Sequence, residues 1–184
     1  MSDPADLRAF LDHAWQRLSR GVADRRSDAR HVSFATVSPD GLPEVRTVVL
    51  RAARQSSAMV EVHTDAASAK ITALATQPHA QLMIWDERTK LQIRMSARVE
   101  VLGGAAVADV WNRVPELSRR SYGKAPEPAA PIDHPHAYEV LSDPSAFRVV
   151  RCHLETIDLV ELGEVHRRAV FARDTNWAGQ WLVP

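Results

Sequence analysis

Residues 31–51 read HVSFATVSPDGLPEVRTVVLR, and this stretch decides the fold. It holds two runs rich in β-branched and apolar residues, His31 to Ser38 and Pro43 to Arg51. Between them, Ser38-Pro39-Asp40-Gly41 is a strong turn signal, so the stretch predicts a β-hairpin. Alternation in the second run gives two faces: Val45, Thr47 and Val49 on one, and Glu44, Arg46, Val48 and Leu50 on the other.

Six further segments have the residue pattern of strands. The most regular, Thr89 to Leu102, alternates between an apolar face that begins at Leu91 and a polar face that begins at Gln92. The other five are Ala58 to Thr64, Ala80 to Trp85, Phe147 to Leu162, Val165 to Ala172 and Trp177 to Val183. Many antiparallel strands with few helices indicate a mainly β protein, a β-barrel with helical decoration.

Three segments predict helices. Residues 3 to 20 form an amphipathic helix with Ser2 or Asp3 as its cap, Pro4 in its first turn and Gly21 as its stop. Its apolar face consists of Leu7, Phe10, Leu11, Ala14, Trp15 and Leu18. Ser68 to Thr76 predicts a short helix that begins near Asp65 or Ser68. Ala105 to Ser121 predicts a helix that is broken or kinked at Pro115.

The length fits one domain over residues 1–184, with an N-terminal helix in 1–21 and a Pro-rich surface loop in 123–146. The 23 basic and 23 acidic residues balance, so bulk charge predicts neither a nucleic-acid nor a membrane partner. The polar N-terminus is not typical of a signal peptide, and no apolar run approaches about 18 residues. With a single cysteine, these features predict a cytoplasmic protein.

The sequence lacks the motifs of several common binding and catalytic sites. The sequence holds no G-x-G-x-x-G, P-loop, G-x-S-x-G or H-E-x-x-H motif. Cys152 lies in an apolar strand pattern, which favours a buried thiol over a nucleophile. His134 and His136 form an H-x-H, but no cysteine or carboxylate cluster completes a metal site, so we expect no metal.

Two basic residues suggest anion binding. Arg46 interrupts an apolar strand, and Lys70 lies in the first turn of the Ser68 helix, where the helix dipole disfavours a cation. A phosphate at that helix start would bind backbone N–H groups, the Ser68 hydroxyl and Lys70 together. The alternative, equally open from the residues alone, is that both are ordinary solvated side chains.

Four segments in this order resemble a known family. They are Arg46-Thr47-Val48-Val49-Leu50-Arg51, then Val62-His63-Thr64-Asp65-Ala66-Ala67-Ser68-Ala69-Lys70, then Gln77-Pro78-His79-Ala80-Gln81-Leu82, then Leu91-Gln92-Ile93. They are similar to the R-x-V-L-L-K, Y-T-N-x-x-S-R-K, N-P-x-x-x-L and R-Q-V segments of the FMN-binding split barrel of pyridoxamine 5'-phosphate oxidases. His166-Arg167-Arg168 and the closing Trp177…Leu182-Val183-Pro184 resemble that family's ending, so the likeness covers residues 30 to 184.

The resemblance implies a homodimer with FMN at its interface and a small-molecule substrate. Arg46 and Lys70, assisted by Ser68, would bind the FMN phosphate. The backbone of Thr47, Val48 and Val49 would run along the flavin ring, with His63 and Thr64 lining it. Gln92 would bond to the flavin and Arg168 would approach the N1/C2 edge of the ring. His166 and Arg168 are the candidate catalytic residues, and Arg51, Ser118 and His166 are the candidate substrate residues.

The sequence departs from the family at the phosphate sites. The family's second phosphate arginine is Ala69 here, and Arg51 stands where the oxidases have a substrate-binding lysine. Of the tyrosine, arginine and serine that bind the substrate phosphate, only the serine, Ser118, survives; Val110 and Val114 occupy the other positions, with Arg113 adjacent. Near the end, Glu164 replaces an arginine and Leu162 a tryptophan, while His166 is retained.

Three functions follow from this pattern. The first is an FMN-dependent oxidoreductase whose substrate is not pyridoxamine phosphate. The second is a true pyridoxamine/pyridoxine 5'-phosphate oxidase, with Arg51, Arg113, Ser118 and Arg119 rebuilding the substrate site. The third is a non-enzymatic module that binds a flavin or another cofactor, since fold does not fix function.

Overall fold

A computed structural model describes residues 6–184, with ten strands and four α-helices in that range. The strands are β1 (His31–Val37), β2 (Pro43–Arg54), β3 (Met59–Asp65), β4 (His79–Asp86), β5 (Leu91–Gly103), β6 (Lys124–Ala125), β7 (Glu139–Val140), β8 (Phe147–Glu161), β9 (Arg167–Ala172) and β10 (Gly179–Leu182). The helices are α1 (Leu7–Ala23), α2 (Ala69–Thr76), α3 (Ala108–Arg113) and α4 (Glu116–Arg119).

Six strands close into an antiparallel barrel in the order β3-β2-β1-β4-β5-β8, because β8 pairs with both β3 and β5. The first half of β8 pairs with β3 and its second half with β9, which in turn pairs with β10. The predicted hairpin is the β1–β2 pair, in which Phe34 faces Arg46. The predicted mainly β barrel with helical decoration is confirmed.

Alternation along each strand fills the barrel. Leu91, Ile93, Met95 and Ala97 of β5 are buried inside, whereas Gln92, Arg94, Ser96 and Arg98 point outward. Fully burying an aliphatic or aromatic side chain contributes about 1.5–3 kcal/mol, so this face fixes the strand register. The apolar face of α1 joins the same core through Phe10, Leu11, Ala14, Trp15 and Leu18, as predicted.

The predicted stop of the first helix at Gly21 is wrong, because α1 continues to Ala23. Gly21 is buried inside the helix, and a Cβ there would lie 2.5 Å from the carbonyl oxygen of Ala29. The glycine therefore serves a close backbone approach. The predicted caps Ser2 and Asp3, and Pro4, lie outside the described residues; Asp6 caps α1 by accepting the N–H of Ala9 at 3.0 Å.

The segment predicted as one kinked helix, Ala105 to Ser121, is instead a 3-10 turn (Gly104–Val107) followed by α3 and α4. Pro115 is the residue before α4, where its missing N–H and its fixed φ are tolerated. α3 covers the outer face of the β3–β8 wall through a second apolar cluster that includes Trp111, Tyr122 and Phe147.

The Pro-rich segment returns to the barrel through the short β6–β7 pair. At its base, the N–H of Gly123 donates to Oδ2 of Asp65 at 2.7 Å, and the N–H of Ala66 donates to the carbonyl of Ala146. This loop is therefore attached next to the start of α2. Within the described part of the chain, no helix is long and apolar enough to cross a membrane.

Candidate functional site

The barrel wall opens between β2 and β3. These strands pair only from Leu50, opposite Val62, to Arg54, opposite Met59. Residues 43–49 of β2 pair with β1, and residues 63–65 of β3 pair with β8. Between these two stretches, which we call the seam, neither edge has a strand partner within residues 6–184. Unpaired backbone N–H and C=O groups require another partner, so the seam suits a planar ligand laid along the strand edge.

Two cations lie at the seam. The ammonium of Lys70, in the first turn of α2, donates to Oγ1 of Thr64 at 2.9 Å and to Oγ of Ser68. The Ser68 hydroxyl makes no capping bond to the helix backbone. Arg46 donates to Oγ1 of Thr36 at 2.7 Å and pairs with Glu44 at 2.6 Å. We call Arg46, Thr64, Ser68 and Lys70 the seam cluster.

The charges of the seam cluster are incompletely neutralised. Burial and the nearby charge of Arg46 lower the pKa of Lys70, and Asp65 opposes this only in part. Both Asp65 oxygens already accept backbone N–H groups, from Ala67 and Gly123. Glu44 pairs with Arg46 alone. A half-buried lysine beside an arginine is stabilised by an anion, so the donor set fits the phosphate group of a nucleotide.

The other residues predicted to contact the flavin ring lie around the seam. Val48 points into the barrel, Thr47 and Val49 point outward, and the backbone of all three follows the open edge of β2. Thr64 and His63 lie on opposite faces of β3. Nε2 of His63 lies 3.2 Å from Oε1 of Glu61, and the imidazole contacts the Phe147 ring edge-on with centroids 4.9 Å apart.

Gln92 and Arg168 do not meet the seam cluster within one chain. Both lie opposite Val160, Gln92 on β5 and Arg168 on β9, and Gln92 points away from the barrel interior. In the order of the barrel strands, β5 lies opposite β2. Arg168 is oriented by Asp158, whose Oδ2 accepts from its Nη2 at 2.8 Å and also from Arg94 at 2.5 Å.

A cavity lies on the outer side of the seam. Its volume is about 340 Å³, and it runs between the β2–β3–β8 wall and α3. Arg51 lines this cavity and lies at a β-bulge. The bulge arises because two steps along β2, from Leu50 to Ala52, correspond to one step along β3. Ser118 and His166 lie outside its lining; Ser118 is half-buried on α4, and His166 is exposed in the turn before β9.

Sequence reasoning missed three residues of this cavity: Arg54, Glu61 and Arg151. The order Glu61-Val62-His63 contained a signal for one of them, since alternation puts Glu61 and His63 on the same face of β3. Arg151 arrives from a strand 90 residues away in the sequence, directly opposite Glu61 in the ladder. No local pattern predicts that pairing.

The remaining candidates for reactive groups are the thiol of Cys152 and possible metal ligands. Cys152 is fully buried, as predicted, and burial with the charge of Glu61 raises its pKa to about 12, which keeps the thiol protonated and inert. Among the residues that the structure describes, no three histidine, cysteine or carboxylate side chains assemble into a possible metal site.

A split barrel with two cations beside an open seam is typical of the class of FMN-binding split-barrel proteins. Residues 12–103, half of the 184-residue chain, match the family model described as "Pyridoxamine 5'-phosphate oxidase, FMN-binding domain". The chain belongs to this family, and FMN, the cofactor predicted from the sequence, is confirmed as the cofactor of that domain.

The chain is similar in sequence to known relatives over different fractions of its length. The pyridoxine/pyridoxamine 5'-phosphate oxidase of Gluconobacter oxydans is 25% identical over 97% of this chain and 80% of its own length. The Arabidopsis thaliana pyridoxine/pyridoxamine 5'-phosphate oxidase 2 is 32% identical over 48% of this chain, and the match spans about half, 46%, of that protein.

Solved structures share the fold. A pyridoxamine 5'-phosphate oxidase-related, FMN binding protein from Nostoc punctiforme superposes with a TM-score of 0.77, at 24% identity and over 98% of both chains. PhzG from Burkholderia lata, in complex with tetrahydrophenazine-1-carboxylic acid, gives 0.74 at 20% identity, over 99% of this chain and 95% of its own.

Proposed function

We propose that this chain is an FMN-dependent oxidoreductase that acts on a small molecule, as a homodimer with the flavin at the interface. The observation that carries the proposal is the seam cluster, where Arg46 and Lys70 meet beside an unpaired strand edge. Bound FMN supplies the two-electron chemistry, by taking a hydride from a substrate carbon.

The residues of one chain would bind the phosphate end and one edge of the ring. Arg46 and Lys70 carry the charge that a phosphate needs, while Ser68 and Thr64 orient the ammonium of Lys70. The backbone of residues 47–49 offers donors and acceptors along the ring, and His63 borders it from the outer face of β3. Ala69 contributes no charge, which leaves the phosphate to these two cations.

The second chain would complete the site. Gln92 and Arg168 face outward on the side of the barrel opposite β2, so a contact with the same flavin has to come from a partner. Exposed apolar side chains on the outer wall support such a pairing: Val45 is 72% exposed, and Met83 and Trp85 are each 37% exposed. Asp158 would then hold Arg168 toward the ring of the partner's flavin.

The test begins with the absorbance spectrum of the purified protein, followed by titration of FMN against its fluorescence. We expect flavin bands and saturable binding, weakened in Arg46→Ala and Lys70→Ala and unchanged in the control Lys90→Ala, an exposed lysine paired with Glu87. FMN-loaded protein is then screened anaerobically for substrates that bleach the flavin. Protein that does not bind FMN would refute the proposal.

Oxidation of pyridoxamine or pyridoxine 5'-phosphate is the second candidate. Arg51 and Arg113 share one cavity beside the seam, and the curated relatives are named for this reaction. Val110 and Val114, which also line that cavity, offer no hydrogen bond to a substrate phosphate. Turnover of pyridoxamine phosphate that is lost in Arg51→Ala would establish this activity, and no turnover by FMN-loaded protein would exclude it.

A further inference from the structure

One carboxylate lies against the seam cluster and pairs with one of its cations. Glu44 and Arg46 are two residues apart on β2, so alternation puts their side chains on the same face of the strand. Oε2 of Glu44 accepts from Nη2 of Arg46 at 2.6 Å. Among residues 6–184, Glu44 is the one carboxylate that forms an ion pair with either Arg46 or Lys70.

The two terminal nitrogens of the Arg46 guanidinium have different kinds of partner. Nη1 donates to the carbonyl of Phe34 at 3.3 Å, to Oγ1 of Thr36 at 2.7 Å and to the carbonyl of Glu44 at 3.3 Å. Thr36 is buried and both carbonyls belong to the paired strands β1 and β2, so the fold fixes these acceptors. The carboxylate on Nη2 belongs instead to a side chain that is 39% exposed. It can turn into water without disturbing the sheet.

A phosphate has to bind the nitrogen that Glu44 contacts. An arginine binds a phosphate best through two parallel N–H bonds, and its guanidinium offers two such forks, Nη1 with Nη2 and Nε with Nη2. Both forks include Nη2. A phosphate on Arg46 therefore either breaks the ion pair with Glu44 or lies beside a retained carboxylate that repels it. In both cases Glu44 makes binding of the phosphate less favourable.

Lys70 has no such competitor within the described part of the chain. Its ammonium bonds to the hydroxyls of Thr64 and Ser68, and a hydroxyl can turn to donate to an anion. The nearby carboxylate of Asp65 is buried, and both its oxygens accept backbone N–H groups, so it stays in place. Glu44 is therefore the carboxylate at the seam that a phosphate can displace.

We propose that Glu44 competes with the FMN phosphate for Nη2 of Arg46 and so limits the affinity of the seam for FMN. The inference rests on the proposed function, since it gives the same site a residue that sets how tightly the cofactor binds. Riboflavin has no phosphate, so Glu44 acts on the preference for FMN over riboflavin. The same carboxylate offsets part of the repulsion between Arg46 and Lys70 in flavin-free protein.

The first test titrates FMN and riboflavin into wild-type and Glu44→Gln protein and follows flavin fluorescence. Glutamine keeps an oxygen that accepts from Nη2, so the substitution removes the charge and retains the orientation of Arg46. We expect affinity for FMN to rise about tenfold and affinity for riboflavin to change less than about twofold. The matched control is Glu100→Gln, which removes the same charge from an exposed pair with His153 and should change neither affinity.

The second test uses inorganic phosphate as the probe and thermal unfolding of flavin-free protein as the measurement. Without phosphate, Glu44→Gln should melt at a lower temperature than wild type, because Arg46 and Lys70 lose their counter-charge. Added phosphate should raise the melting temperature of Glu44→Gln more than that of wild type, since tighter binding to the folded state stabilises it more. Glu100→Gln should respond to phosphate as the wild type does.

Two results of the flavin titration would overturn the inference. An affinity for FMN that is unchanged or lower in Glu44→Gln contradicts competition, and a lower one shows that Glu44 orients Arg46 for the phosphate. An equal rise for FMN and riboflavin places the effect away from the phosphate. If neither protein binds FMN, the proposed function fails, and the phosphate measurement still tests Glu44. Equal phosphate shifts in wild type and Glu44→Gln would then refute its competition with the anion.

Discussion

Burial and the charge of Arg46 together lower the pKa of Lys70, so the two cations of the seam destabilise each other when no anion lies between them. Within residues 6–184, Lys70 bonds only to the neutral hydroxyls of Thr64 and Ser68, whereas Arg46 bonds to Thr36 and also pairs with Glu44. Hydroxyl groups orient a cation without cancelling its charge. The arrangement is therefore preorganised for an anion and costs some stability in its absence.

Replacing Lys70 with methionine should separate ligand binding from folding. Flavin-free Lys70→Met protein should melt at the same or a higher temperature than wild type, because a half-buried cation is removed. Its affinity for FMN should fall about tenfold to a hundredfold, as expected for a lost charge-assisted hydrogen bond. Thermal unfolding with and without FMN measures both, with Lys90→Met as control. A variant that melts lower yet keeps the full FMN shift would contradict the assignment.

The N-terminal helix is held by a buried ion pair that should dominate its stability. Arg17 of α1 donates to Oδ2 of Asp86, whose side chain is fully buried at the end of β4. Arg17→Met leaves this carboxylate uncompensated and should cost about 3–5 kcal/mol of unfolding free energy. The control Arg20→Met removes an exposed pair with Asp24 and should cost less than about 1 kcal/mol. Urea unfolding compares the two, and equal losses would refute the role of the buried pair.

The pKa of Asp86 also predicts how the stability of the fold falls at acidic pH. Burial raises the pKa of its carboxyl, but the bonds from Thr89 and Arg17 outweigh it, so the net pKa is below the ordinary 3.8. A depressed native pKa stabilises the protein above the unfolded value, and this contribution is lost as pH falls through the native one. The wild-type melting temperature should therefore fall below about pH 4 more steeply than that of Asp86→Asn. Parallel melting curves over that range would show that another group controls acid unfolding.

Mixed dimers test whether one flavin contacts two chains. Lys70→Met and Arg168→Ala proteins should each bind FMN weakly as homodimers. If Arg168 serves the partner's flavin, a heterodimer of the two variants has one site with both changes and one intact site. Co-expression with two affinity tags should thus restore wild-type affinity at about half of the sites. Heterodimers in which every site stays weak would place both residues at the same chain's flavin.

Local pattern predicted most of the fold. The β1–β2 hairpin, the alternation of β5 and the apolar face of α1 all come from residues within a few positions of each other. The helix stop predicted at Gly21 is wrong because the approach of Ala29 is a tertiary contact that the local sequence does not reveal. The Arg17–Asp86 pair joins residues 69 apart and was equally out of reach.

The candidate site was only partly predictable for the same reason. Arg46 and Lys70 are identifiable from the sequence because a cation in a strand interior or at a helix start is locally unfavourable, and Ser68 because its hydroxyl lies at the same helix start. The seam itself depends on where β2 stops pairing with β3, and the bulge at Arg51 sets that register. The basic cavity required β2, β3, β8 and α3 to meet, so Glu61 and Arg151 became candidates only in three dimensions.

The most direct test of the central claim compares FMN with riboflavin, which lacks the phosphate. If Arg46 and Lys70 bind that group, wild-type protein should prefer FMN by a hundredfold or more, roughly 3 kcal/mol, by fluorescence titration. In the double variant Arg46→Ala/Lys70→Ala, the two flavins should bind with nearly equal affinity. A preference for FMN that survives the double substitution would show that the phosphate lies elsewhere and would contradict the account.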